Sequence, residues 1–255
     1  MCLYTRYILN PKYKGNKKNN YNPPACKDRR LLYVPVKCGR CMECRQQKQR
    51  EWIVRLAEEI RKDPNAQFIT LTLENKAFYE LRESKEEKEN DICTRAIRRF
   101  LERIRKETGR SIKHWFITEL GEEKGRMHIH GITWCNTKLI EKNWKYGFIF
   151  IGSYVNERTI FYITKYMLKI NEHDKNFIGK VLASPGIGSG YIERKDAKNN
   201  IYKPNKTNES YRLRTGKKIN LPQYYRLKIY SEEEREKLWI EKQEREYRYI
   251  MKQLS

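Results

Sequence analysis

Hydrophobic and polar positions along the chain change period several times, and each change marks an element. Between Met42 and Ile60, Trp52, Ile53, Leu56 and Ile60 recur at helical spacing among many charges, which predicts an amphipathic helix of several turns. Gln67 to Leu73 (QFITLTL) alternates apolar and β-branched residues, the signature of a half-buried strand. The period returns to helical over Asp91 to Thr108, where Ile92, Ala96, Phe100 and Ile104 share one face and Gly109 supplies the stop. Two strands follow, HWFITEL (His114 to Leu120) and RMHIHGITW (Arg126 to Trp134), predicted to lie antiparallel through the connection GEEKGR. Lys138 to Phe150 reads as a short helix and then a strand, and Asn156 to Ile170 as a further helix. Beyond it, LPQYY leads to Ser231, whose SEEE run has the form of a capping box opening a charged C-terminal helix. This last helix has few apolar positions, Leu238, Trp239, Tyr247 and Ile250 among them, and is expected at the surface or against a partner.

Strand, helix, strand, strand, helix is the order of an α+β domain, with a central antiparallel sheet and helices packed on one face. The expected division is an N-terminal cysteine-rich segment and helix over residues 1–62, a catalytic domain over 63–230 and a charged helix over 231–255. No internal repeat is present. Residues 10–30, rich in Asn, Pro and Lys, read as a loop that either touches a polyanion backbone or serves as a solvated linker.

Charge changes the picture. The chain of 255 residues carries 55 Lys and Arg against 32 Asp and Glu, a net +23, with a pI near 9.7. Such a balance favours a nucleic-acid partner without choosing DNA over RNA. Eighteen tyrosines and five tryptophans offer faces for unpaired bases, although core packing claims many of them. The first residues lack the apolar core of a signal peptide and no run approaches membrane-spanning length, so the expected location is the cytosol, away from any membrane. SPGIGSGY (Ser184 to Tyr191) lacks the lysine and spacing of a P-loop, which argues against a nucleoside triphosphatase.

Seven cysteines is an odd number for a chain in a reducing compartment, and a disulfide framework is not expected. Cys38, Cys41 and Cys44 form C-x2-C-x2-C, a spacing at which thiolates converge on one Zn2+. A fourth ligand could come from Cys2 or Cys26, and an iron-sulfur cluster is the rival occupant. Cys93 and Cys135 read as ordinary buried residues.

His128 and His130 stand two apart on a predicted strand and so share a face. With Glu119 on the neighbouring strand they form two histidines and a carboxylate, a set that leaves coordination positions open as a catalytic metal requires. Glu122 and Glu123 are alternative carboxylates, and an exposed histidine pair with no ligand is the plainer reading. Farther on, FYITKYMLKI places Tyr162 and Tyr166 on one helical face. Lys165 and Lys169 each follow a tyrosine by three positions, where a cation can lower a phenol pKa or hold a phosphate.

This histidine pair followed by a tyrosine-lysine pair resembles the HUH endonuclease superfamily. With VPVKCGRCMECRQQKQREWIVRLAEEI, FITLTLEN, SPGIGSGY and LPQYYRLKIYSEEEREKLW in order, from about Tyr33 to Trp239, the chain looks like the replication initiators of microviruses, small single-stranded DNA phages. The resemblance implies an HUH-type sheet with the histidines on its central strand, Mg2+ or Mn2+ at His128, His130 and Glu119, and Tyr162 or Tyr166 as nucleophile toward single-stranded DNA at the phage origin. It further implies a 5′-phosphotyrosine intermediate, a 3′-hydroxyl primer, a structural Zn2+ with Cys2 as fourth ligand, host helicase and polymerase as partners, and a place in the bacterial cytoplasm. Rival readings are a zinc-stabilised nucleic-acid-binding protein without catalysis, and a metal-dependent hydrolase that uses water.

Overall fold

A computed structural model describes residues 2–122, 125–152, 154–172 and 174–254. The chain forms two compact units: Lys48–Gly190, and a second made of the N-terminal residues up to Gln47 together with those from Tyr191 onward.

The Lys48–Gly190 unit is built on strands β3 (Gln67–Thr72), β4 (His114–Leu120), β5 (Met127–Thr133), β6 (Ile149–Ile151) and β7 (Val181–Ala183). They pair antiparallel throughout, in the order β6-β3-β5-β4-β7, which puts the histidine strand at the centre. Helices α2 (Asn75–Leu81), α3 (Glu89–Thr108) and α4 (Thr137–Asn143) belong with one sheet face. There Ile69, Leu71, Phe116 and Ile129 meet Ile92, Ala96, Ile97, Phe100 and Ile104 of α3, all essentially inaccessible. The predicted helical face of α3 is therefore the buried one, and Gly109 ends the helix in the left-handed conformation at φ 72°.

One expectation is corrected: helices cover both faces. On the opposite face Trp115, Ile117 and Ile132 pack with Ile53 and Leu56 of α1 (Met42–Lys62) and with Ile160 and Ile163 of α5 (Glu157–Thr164). The reason is visible in β4, where Trp115, Phe116, Ile117 and Thr118 are consecutive buried residues, so neither side of that strand tolerates water. Burying each such large side chain contributes roughly 1.5–3 kcal/mol.

Gly131 is demanded by this two-sided packing. A Cβ at that position would run into the Phe116 ring and the Trp115 carbonyl oxygen, inside any normal contact distance. Gly131→Ala is expected to destabilise this unit by about 2 kcal/mol or more, as overpacking of a rigid core does. A thermal midpoint unchanged from the parent protein would contradict that close approach.

In the other unit, β1 (Arg6–Leu9) and β2 (Tyr33–Val36) make a two-stranded antiparallel sheet, and β8 (Ser210–Arg212) with β9 (Lys218–Asn220) another. The expected loop over residues 10–30 contains short 3-10 turns at Pro11–Tyr13, Lys17–Asn19 and Arg29–Leu31. Leu221, Tyr225, Tyr230 and Leu238 are buried, Tyr225 in the short helix α6 (Gln223–Ile229) and Leu238 in α7 (Glu232–Leu254). Ser231 forms the predicted capping box: its Oγ accepts from the Glu234 amide at 3.2 Å and its own amide donates to the Glu234 carboxylate at 2.8 Å. No described helix is long and apolar enough to cross a membrane.

Candidate functional site

Register assembles the candidate catalytic set at one end of the sheet. His128 lies opposite Thr72 of β3 and Glu119 of β4, and His130 opposite Thr70 and Ile117. Along this face the rows change from Phe68, Ile132 and Trp115 to Thr72, His128 and Glu119, an apolar core giving way to a polar pocket rim. Each imidazole is held by a β3 hydroxyl, His130 Nδ1 at 3.0 Å from Thr70 Oγ1 and His128 Nδ1 at 3.1 Å from Thr72 Oγ1. A hydroxyl either donates or accepts, so both threonines fit either tautomer of the histidine beside them. These threonines escaped the sequence reading, although ITLT sets them two apart and therefore on one face.

Glu119 is the hub. Its Oε2 lies 2.5 Å from His130 Nε2, and its Oε1 accepts from Lys169 Nζ at 2.5 Å. Burial alone would raise the Glu119 carboxyl, but the bonds from His130 and Lys169 outweigh it and keep it below the ordinary carboxylate range. Lys169 also pairs with Glu122 at 2.9 Å; burial works against its charge, yet the two carboxylates raise its pKa overall. Burial lowers the pKa of His128 despite the Glu119 charge, keeping a neutral imidazole, the form that ligates metal. Gly121 leaves room there, since a Cβ on it would sit 3.1 Å from His128 Nε2. Glu123 lies outside the described residues.

The tyrosine segment departs from the expected continuous helix over Asn156 to Ile170. It is α-helical to Thr164 and then tightens into a 3-10 turn, Lys165–Met167. The buried Thr164 hydroxyl turns back to the Ile160 carbonyl at 2.8 Å, which competes with the regular ladder at that point. Tyr166, in the tight turn, is only 8% exposed and lies flat on His130, ring centroids 4.1 Å apart and planes 2° from parallel. Tyr162 is 45% exposed and accepts a hydrogen bond from the Tyr166 hydroxyl at 2.9 Å. Burial and that bond raise the Tyr166 pKa. Of the two lysines, Lys165 places its ammonium 4.3 Å from the Tyr162 ring centre, whereas Lys169 is turned to the carboxylates and not to a tyrosine.

As a donor set His128, His130 and Glu119 suits a divalent cation with open coordination positions. The ligand atoms are not gathered tightly, and Lys169 holds the carboxylate in the cation's place. Among the described residues, the set of three or more potential ligands lying mutually within 4.8 Å is Cys2, Cys38, Cys41 and Cys44. Two of its sulfur pairs are 3.9 Å apart, close to the roughly 3.8 Å edge of a tetrahedron with metal-sulfur bonds near 2.3 Å. Backbone amides point at the sulfurs, Cys38 N–H to Cys2 Sγ and Cys41 N–H to Cys38 Sγ, both at 3.3 Å. The Cys38 amide is the main reason the Cys2 thiol falls to about 6, while burial raises Cys44 to about 12. These four cysteines can hold a metal such as zinc. Cys26 stands outside the group, its Sγ donating to the Asp28 carbonyl at 3.0 Å. Cys93 and Cys135 are buried with the α3 face of the sheet, as expected.

Residues 66–171 match a family of replication-associated proteins, the one described by its ORF2 members. The chain is similar to phage replication-associated proteins. The matched residues run from the start of β3 to just past the tyrosine turn, so they include the histidines, Glu119, both tyrosines and both lysines, and leave out the cysteine group. Replication-associated protein ORF4 of Chlamydia phage 1 is 24% identical over 162 residues, a match covering 53% of this chain and 38% of that protein. The chain thus aligns with well under half of that relative's length. Both similarities support the microvirus-type resemblance read from the motifs. No solved structure matches.

Proposed function

We propose that this protein is a rolling-circle replication initiator of the HUH type, which nicks and rejoins single-stranded DNA at a phage origin through a tyrosine. The observation that carries this reading is the stacking of Tyr166 on His130 with the Tyr162 hydroxyl one hydrogen bond away, which joins the nucleophile pair to the candidate metal ligands in one pocket. His128, His130 and Glu119 would hold Mg2+ or Mn2+, and that cation supplies charge against the negative phosphoryl oxygens.

Tyr162 is the leading nucleophile. It is the more exposed of the two, Lys165 stands over its ring, and the Tyr166 hydroxyl donates to the oxygen on which phenolate charge develops. Its oxygen attacks phosphorus as the bond to the 3′-oxygen breaks. The phenol proton passes to solvent, and the departing oxygen takes a proton to become a 3′-hydroxyl. The 5′-phosphotyrosine conserves the energy of the cut phosphodiester, so rejoining needs no nucleoside triphosphate. On this reading Tyr166 serves a second cut after one circuit, a host polymerase extends the 3′-hydroxyl, and a host helicase opens duplex in the bacterial cytoplasm.

The deciding experiment incubates the full chain with labelled single-stranded origin DNA and Mn2+ and looks for a denaturant-resistant adduct. An adduct mapped by mass spectrometry to Tyr162 or Tyr166 is the expected result. Cleavage with nothing attached would indicate a water-using hydrolase, and binding without cleavage a non-catalytic nucleic-acid-binding protein. Glu119→Gln is expected to weaken Mn2+ binding at least about tenfold, since a neutral amide is a poor ligand for a hard cation. Titration calorimetry showing parental affinity would remove Glu119 from the ligand set.

A further inference from the structure

The β1–β2 sheet carries a feature that the nicking pocket does not use. Tyr7 pairs with Pro35 and Leu9 with Tyr33, so Tyr7 and Tyr33 project from the same face on a diagonal. They are 68% and 53% exposed, and Tyr4 beside them is 69% exposed. Tyr191, Tyr211, Tyr225 and Tyr230 of the same unit are buried to below 5% exposure, so this unit places its core tyrosines inside and leaves these rings in water. Diagonal neighbours stand about 7 Å apart, roughly twice the 3.4 Å rise of stacked nucleotides.

Charge identifies what the rings face. Residues 2–40 hold ten Lys and Arg and one acidic residue, Asp28, which is bound by Arg30 at 2.7 Å. Glutamates of α7 take Lys12 and Arg30. Arg6, Lys14, Lys17, Lys18, Lys37 and Arg40 have no acidic partner among the described residues. Such cations around exposed, co-facial aromatic rings are the composition of a single-strand platform, where phosphates meet the charges and unpaired bases stack.

We infer that the Tyr7–Tyr33 face of the β1–β2 sheet is a binding platform for single-stranded DNA, separate from the residues that cut it. The inference rests on the proposed function only for the choice of DNA. Pro35 reinforces the assignment, because a strand with a missing amide donor is a poor template for adding another strand and leaves its face as the useful surface.

The test compares the full chain with its Tyr7→Ala/Tyr33→Ala variant in binding a fluorescent oligothymidylate of about 16 nucleotides without added Mg2+ or Mn2+. Metal content and circular dichroism confirm the fold of each protein. The dissociation constant is expected to rise at least tenfold for the single strand, to stay within about threefold for Tyr7→Phe/Tyr33→Phe, and to change little for a duplex. Equal affinity of the alanine variant and the parent, an equal loss on duplex, or tighter binding of the matching RNA would overturn the assignment. Independently of any variant, photo-crosslinking of an iodouracil-containing strand to the parent protein is expected at Tyr7 or Tyr33; crosslinks confined to residues 48–190 would also overturn it. Adduct formation at saturating DNA reports separately on the nicking reading: its absence alongside tyrosine-dependent binding sinks the nickase and leaves the platform standing.

Discussion

Changing both Tyr162 and Tyr166 to Phe is expected to abolish the covalent DNA adduct, by at least about a thousandfold, with the thermal midpoint little changed. Loss on this scale follows because no other residue of the pocket provides a nucleophilic oxygen that could form a stable phosphoester of the same kind. The single variants should separate the two roles. Tyr162→Phe removes the exposed oxygen under Lys165 and should account for nearly all of the loss in the first cut. Tyr166→Phe removes the donor to that oxygen, and a hydrogen bond to a charged group contributes about 1.5–3 kcal/mol, so the first cut should slow about ten- to a hundredfold. Because burial keeps the Tyr166 phenol protonated far above neutral pH, it remains a donor throughout the working range. A first cut that survives Tyr162→Phe and vanishes with Tyr166→Phe would reverse the assignment.

Removing metal from the cysteine group is expected to have the second-largest effect. With sulfurs gathered to within 4.8 Å, the apoprotein must either crowd thiolates together or protonate them, and neither state ties Cys2 to Cys38, Cys41 and Cys44 as a metal does. One zinc per chain is the expected stoichiometry by elemental analysis. Chelation, or Cys41→Ser, should raise the rate of proteolytic cleavage within residues 2–47 at least tenfold, because this short segment lacks a large apolar core of its own. Cys26→Ser should leave the rate unchanged, since Cys26 stands outside the group. A visible absorption band with bound iron would replace zinc by an iron-sulfur cluster, and full protection of the chelated protein would deny the site a structural role.

Much of the architecture could be read without coordinates wherever a local period was long and one-sided. Helices α1 and α3, strands β3 to β5 and the capped α7 lie within about two residues of their predicted bounds, because each is specified by its own side-chain spacing. Short elements were not legible: β1, β2, β7, β8 and β9 run three or four residues, too few for alternation to stand out, and they exist through pairing with distant partners. The second helical layer was missed for a related reason. A strand buried on both sides loses its alternation, and a continuous apolar run does not say how many layers cover it.

The catalytic candidates divide the same way. Residue type and spacing alone singled out His128, His130, Glu119, Tyr162, Tyr166 and the cysteine triplet, since two apart on a strand and four apart on a helix determine a shared face whatever surrounds it. Contacts between elements were decided only by tertiary structure: Lys169 on Glu119 and not on a tyrosine, Tyr166 flat against His130, Thr70 and Thr72 beneath the imidazoles, and Cys2 rather than Cys26 beside the triplet. Spacing along a chain fixes direction within one element, whereas distance between elements depends on strand register and on where a helix tightens, and those are set by packing of the whole sheet.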